Sequence, residues 1–191
     1  LQDFEHDFEH GTERHREASL CLKRSGLMTL LSDFDPIWAG TIPIDIDIED
    51  SDIDVICEVH DIDAFLHILE GHVSDFENYR CQRAIAQGHE SCVVSFTFDG
   101  FLFEVFAQPL PTRSQNAYRH MLAEHRLLER YGEGLRSIVR ALKRAGLKTE
   151  PAFAKALGLD GDPYLILLEL GDLDDDALES FCAEHPLCSN L

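Results

Sequence analysis

Positive charge is scarce in this chain. Sixteen Lys and Arg stand against 36 Asp and Glu in 191 residues, a formal charge of −20. So acidic a surface repels phosphate backbones at long range, which disfavours extended nucleic acid and anionic membranes as partners. Long apolar runs are missing too. No stretch reaches the roughly 18 residues a membrane-spanning helix needs. Residues 1–15 are acidic and polar, without the apolar centre of a secretory signal. The six cysteines, at 21, 57, 81, 92, 182 and 188, form no Cys-x-x-Cys pair. That spacing excludes the common zinc signatures and a small disulfide scaffold. Cys57 and Cys92 fall inside apolar runs, as buried reduced thiols do, and the expected setting is the cytoplasm. No Walker loop, no Gly-x-Gly-x-x-Gly and no Gly-x-Ser-x-Gly elbow occurs. Ten histidines yield only His6 and His10 at helical spacing, too little for a zinc site.

The charge that is present is unevenly placed. From Thr41 to Asp63 there are nine acids and no Lys or Arg. From Arg113 to Lys155 there are ten bases and four acids. Either two solvated faces of opposite sign pair loosely, or carboxylates and cations line a cleft suited to metal and phosphate.

Periodicity outlines the elements. Residues 12–32 read as a helix broken at Ser25-Gly26. A short apolar run, Ile37-Trp38-Ala39, lies between Pro36 and Gly40. Residues 52–59 alternate as a strand does on entering a core. Residues 61–70 have helical spacing, and 79–86, 91–98 and 101–107 read as strands, with Asp99-Gly100 a hairpin signal. Helices are expected over 113–131 and 133–146, then a short-helix region punctuated by Pro151, Gly158 and Pro163. The expected class is α+β (mixed α/β). The expected division is a core over 1–110, a helical segment over 111–170 packed on that core, and an acidic tail over 171–191.

The informative stretch runs from Ala39 to Val55, AGTIPIDIDIEDSDIDV. Strand alternation puts Asp52 and Asp54 on one face and Ile53 and Val55 on the other. Two carboxylates so close repel unless a cation lies between them. Mg²⁺ suits that position, because it takes one or two carboxylates together with substrate phosphates. Gly40 lets backbone approach a phosphate, and the Thr41 hydroxyl can donate to one. Glu104 is a lone acid in the apolar run Phe101–Phe106, where it needs a partner. A second pair, Asp45 and Asp47, competes as the metal site. An EF-hand over 45–56 fails, since Asp50 and Ile56 occupy its Gly and Glu positions.

The pattern apolar-Gly-Thr, then Asp-apolar-Asp-apolar about ten residues on, resembles the signature of the nucleotidyltransferase superfamily. More closely, the chain is similar to domain-of-unknown-function family 4269, a bacterial group near those transferases. The resembling segments are 11–18, 40–59, 103–121 and 148–164. The resemblance implies a small mixed sheet flanked by helices, with a C-terminal helical segment. It implies Asp52, Asp54 and Glu104 as catalytic carboxylates and ligands of Mg²⁺ (or Mn²⁺), with Gly40 and Thr41 touching phosphate. Thr41 stands where Ser is commoner, and Asp45 where a Gly is more familiar. The implied reaction moves a nucleotidyl group from an NTP to an unknown small-molecule or protein acceptor.

Beside it, Arg113 and Arg119 are candidates to hold the triphosphate, Tyr118 to stack on the base and His120 to orient the acceptor. Arg80, Arg83 and Lys148 are weaker phosphate candidates. The alternatives are a nucleotide-binding or regulatory module without turnover, and a phosphohydrolase on the same metal site.

Overall fold

The computed structural model describes residues 12–188. His6 and His10, and Gly11 of the first resembling segment, lie outside them. Two compact units form: a sheet unit, with residues up to 45 and 51–115, and a helical unit, with 46–50 and those from 116 onward. The mixed α+β class expected from the pattern is the one that forms.

The sheet unit opens with α1 (Glu13–Ser25), capped by the Thr12 hydroxyl, which accepts from the His15 amide. Gly26 ends it in a left-handed conformation, φ 69°, and α2 (Leu27–Leu30) follows at once. Then come β1 (Ile37–Ala39), β2 (Ile53–Glu58), α3 (Ile62–Val73), β3 (Glu77–Ala86), β4 (His89–Phe98) and β5 (Phe101–Gln108). The sheet order is β1-β2-β5-β4-β3. Only β2 and β5 run parallel; the other neighbours are antiparallel. Gln87-Gly88 and Asp99-Gly100 both have positive φ at the two turn positions. That backbone matches the twist of a tight hairpin, so each pair of long strands returns directly on itself.

One sheet face makes the core. Ile53, Val55 and Cys57, then Phe103, Val105 and Ala107, then Cys92, Val94 and Phe96 are buried there with Ala18, Cys21 and Leu22 of α1 and Phe65 and Leu69 of α3. Phe96 stacks on Phe103, ring centroids 5.0 Å apart. Each such large side chain contributes about 1.5–3 kcal/mol by leaving water. The opposite face carries the intervening residues of β2 and β5, among them Asp54 and Glu104. Gln115 is fully buried, and its Nε2 donates to the carbonyls of Cys57 and Leu110. This ties the end of the sheet unit to the end of β2.

The helical unit holds α4 (Asn116–Tyr131), α5 (Glu133–Arg144), α6 (Thr149–Leu157), α7 (Pro163–Gly171) and α8 (Asp175–Glu184). Asp162 caps α7 with Pro163 as its first residue, and Asp174 caps α8. Leu127, Leu135, Val139, Phe153 and Leu167 are fully buried. The bases that crowd this part of the sequence largely meet acids of the same unit. Arg119 pairs with Asp172, Arg126 and Arg130 with Asp175, and Arg144 with Glu49. Lys143 is buried, and its Nζ donates to the Ile46 carbonyl at 2.9 Å.

Glu124 is the most buried acid of this unit, 4% exposed. Burial, then the nearby Glu150 charge, push its carboxyl well above the usual range, and Lys143 only partly opposes them. The folded chain therefore holds this proton more tightly than the unfolded chain does. Glu124 contributes its full stability below the ordinary carboxylate range, and that contribution is lost as pH rises through the raised folded value. E124Q removes the ionisation. Its melting temperature relative to wild type is expected to rise from pH 5 to pH 8. A difference that stays constant over that range refutes this account of the buried acid.

Candidate active site

The stretch around Gly40 and Asp52–Val55 folds as two strands and the loop between them. β1 ends at Ala39, and Gly40 follows with φ 82°. β2 begins at Ile53, which leaves Asp52 just before the strand. Burial alternates over the first three residues of β2, with Ile53 and Val55 fully buried and Asp54 half-buried, and then runs unbroken from Val55 to Cys57.

Strand register decides which groups meet. Ala39 lies opposite Asp54, Asp54 opposite Glu104, Glu104 opposite Ser95, and Ser95 opposite Arg80. One row therefore crosses all five strands. Neighbouring strands lie about 4.8 Å apart, and residues in register share a face. Asp54 and Glu104 thus stand side by side, from residues 50 positions apart in sequence. Both are half-buried, where two like charges repel.

Gly40 presses on this pair. A Cβ at residue 40 would lie 2.0 Å from Asp54 Oδ2 and 3.0 Å from its Cγ. Only a residue without a side chain fits, and positive φ favours glycine independently. Thr41 is half-buried, and its hydroxyl donates to Ser51 Oγ at 3.3 Å. That bond draws the loop after β1 to the residue before Asp52. Asp45 closes a turn, its amide donating to the Ile42 carbonyl at 3.1 Å. Its φ is 59°, a left-handed value that suits Gly best and that Asp tolerates. Asp47 groups with the helical unit, so the second acidic pair is divided between the two units.

Among the described residues, no three His, Cys, Asp or Glu side chains are placed to hold a metal ion by themselves. The donor chemistry still fits Mg²⁺ or Mn²⁺. Hard carboxylate oxygens beside a residue without a side chain match an ion that completes its shell with substrate phosphates and water.

The other candidates divide between the units. Arg113 is exposed, on a short 3₁₀ turn (Thr112–Ser114) held where Thr112 Oγ1 donates to the Asp35 carbonyl. Tyr118, Arg119 and His120 belong to α4 of the helical unit. Tyr118 is buried. Arg119 Nη2 donates to both Asp172 oxygens, at 2.9 and 2.8 Å. His120 is buried, with Nε2 3.0 Å from the Tyr164 carbonyl and Nδ1 3.2 Å from Glu150 Oε1. Against the upward push of burial, the His120 hydrogen bond helps hold Glu150 below its ordinary range. Arg80 is exposed on the edge strand, and Arg83 pairs with Asp63 and Glu90. Lys148 precedes α6 and is exposed. Two residues without a role in the sequence analysis, Arg14 and Ser51, lie at this corner of the sheet. Their sequence signal is that they fall in the resembling segments 11–18 and 40–59.

The family described as a domain of unknown function, DUF4269, matches residues 20–170. This chain belongs to that family. No curated protein matches it. Among solved structures, this DUF4269 chain is similar to the GLD-2/RNP-8 complex structure, with TM-score 0.54 and 14% identity over 76% of this chain and 59% of that one. It is also similar to Cid1, described with RNA terminal uridylyl transferase activity, with TM-score 0.55 and 12% identity over 77% of this chain and 47% of that one. The structure of a cytoplasmic RNA terminal U-transferase aligns with TM-score 0.51 and 13% identity over 82% of this chain and 47% of that one. The chain spans about half the length of these solved relatives. At such identity the likeness is one of fold, and the fold is nucleotidyltransferase-like. Among the described residues, no helix is long and apolar enough to cross a membrane.

Proposed function

We propose that the sheet unit of this DUF4269 chain carries a divalent-metal-dependent nucleotidyltransferase site. It would move a nucleotidyl group from an NTP to a small-molecule, protein or RNA-end acceptor. The observation that carries this reading is the Asp54–Glu104 register pair with Gly40 pressed against it. Two repelling carboxylates against a side-chain-free turn are costly as structure and useful as a seat for a cation and phosphate.

In this reading Asp52, Asp54 and Glu104 hold Mg²⁺ or Mn²⁺, which when bound supplies positive charge to the polyphosphate. Gly40 admits the phosphates to the backbone, and the Thr41 hydroxyl turns from Ser51 to donate to them. Arg113 remains the proposed nucleotide contact of this unit. Tyr118, Arg119 and His120 are kept as nucleotide-binding candidates of the helical unit, where Arg119 and His120 would exchange their Asp172 and Glu150 partners for ligand. Glu104 takes the proton of the acceptor hydroxyl. The acceptor oxygen bonds to the α-phosphorus, the bond to the bridging oxygen breaks, and pyrophosphate leaves.

RNA enters as an acceptor class because the fold neighbours include an RNA terminal uridylyl transferase. Cid1 has also been solved with MgGTP and with a UTP analogue. The expectation that net acidity excludes extended nucleic acid gains no support from such neighbours. All six cysteines are unpaired, which agrees with a cytoplasmic setting. The competing reading is a nucleotide-binding module without turnover. It is favoured by the lack of a ready-made three-carboxylate set among the described residues.

The deciding experiment incubates the chain with each of the four NTPs, Mg²⁺ or Mn²⁺ and one acceptor of each class in turn (an RNA with a free 3′ hydroxyl, a small polyol, a test protein), and follows thermal stability and pyrophosphate together. Stabilisation with pyrophosphate release is expected, and both are expected to vanish in the D52N/D54N double variant. Stabilisation without pyrophosphate assigns the module, and inorganic phosphate in its place assigns a hydrolase.

A further inference from the structure

We propose that Arg14 is a positioning residue that sets how Asp52 is presented to a metal–nucleotide ligand; the inference rests on the site reading above. Arg14 lies in the first turn of α1. Its Nη2 donates to the Ser51 carbonyl at 2.9 Å. Its guanidinium lies over the Phe101 ring, 5.0 Å from the centroid. Ser51 precedes Asp52 directly, and Phe101 opens β5 three residues before Glu104. One side chain thus spans the entrances of both carboxylate-bearing strands. Ser51 is held a second time, by the Thr41 hydroxyl from the loop after β1. The peptide that leads into Asp52 is therefore fixed from two directions before ligand arrives, and by Arg14 alone once Thr41 turns to the phosphates.

Arginine suits this task for a geometric reason. Its planar guanidinium donates in its plane and packs through its face, so one group makes both contacts. An ammonium has no face and cannot reproduce the pair. The neighbouring residue, His15, meets Trp38 edge-on, ring centroids 5.9 Å apart. Trp38 is the only tryptophan of the chain and stands two residues before Gly40. Its fluorescence reports on this corner alone.

The test titrates Mn²⁺, with and without UTP or ATP, into the full chain and follows quenching of Trp38. Wild type, R14A, R14K and D52N are compared, each with its melting temperature. Partners that orient metal ligands typically carry about 10–100-fold in metal affinity. R14A and R14K are each expected to weaken Mn²⁺ binding within that range, and D52N to abolish it. A merely structural Arg14 would lower the melting temperature while leaving affinity intact, and lysine would repair it. R14K, which keeps the charge and most of the stem, carries the test where R14A does not fold. Unchanged affinity in R14K beside loss in D52N overturns the role of Arg14 and leaves the site standing. A wild type that shows no quenching overturns both.

Discussion

Alanine at residue 40 is expected to destroy metal-dependent nucleotide binding, far beyond its cost to folding. Two effects act at once. The backbone there has φ 82°, a left-handed value that costs an L side chain about 1–2 kcal/mol. The new Cβ would also fall 2.0 Å from Asp54 Oδ2, with Cγ and Cβ of the same residue at 3.0 and 3.2 Å. Rotating the carboxylate oxygen away leaves Cγ and Cβ still too near, by a few tenths of an ångström, so the Asp54 carboxylate must reorient and shift beside Glu104. The chain contains its own control. Gly100 has the same φ of 82°, and nothing lies within 4 Å of a Cβ built there. G100A should therefore lose about the same 1–2 kcal/mol of stability and bind Mn²⁺–nucleotide as wild type does. G40A should lose stability and binding together. Melting curves and Trp38 quenching measured on the two variants side by side check this. If G40A binds as G100A does, the glycine is a turn residue only.

Removing one charge of the carboxylate pair should separate activity from stability. Asp54 and Glu104 face each other across adjacent parallel strands. Held that close, both pay for mutual repulsion when ionised. D54N and E104Q keep shape and remove charge. In each variant the change in stability should be small beside the change in activity. Metal-dependent nucleotidyl transfer should fall by about 10²–10⁴-fold in E104Q, the usual worth of a proton acceptor in the transition state. D54N should fall at least as far, because the ion seat goes with it. Thermal melts and pyrophosphate release on the same preparations provide the readout. A structural pair would give the reverse, a clear loss of stability with activity unchanged.

How much of this was legible beforehand depended on how local each signal is. Alternation in residues 52–59 placed Ile53 and Val55 in the core and Asp54 opposite, and the buried positions agree. Ser25-Gly26 and Asp99-Gly100 announced a helix break and a hairpin, because each needs a left-handed residue that few side chains allow. Glu104 on a neighbouring strand was expected beside the Asp pair, but its exact register with Asp54 was not legible. Pairing between strands so distant in sequence follows from how a whole core packs, not from residues near either one. The same holds for Arg14, whose partners lie 37 and 87 positions away. Tyr118, Arg119 and His120 show the opposite difficulty. Their chemistry suits a nucleotide, yet residue type alone does not reveal that each is buried or engaged within a helical unit. Asp45 stood out as an unfamiliar residue for its loop, and its left-handed φ gives that oddity a physical meaning.

In the proposed site Asp52, Asp54 and Glu104 seat a divalent ion beside Gly40. Crystals grown with Mn²⁺ and a non-hydrolysable NTP analogue locate that ion through the anomalous signal of manganese. A manganese peak is expected in contact with Asp54 and Glu104 or Asp52, with phosphate oxygens against the Gly40–Thr41 backbone. Manganese bound elsewhere, or nucleotide bound with those three carboxylates untouched, would contradict it.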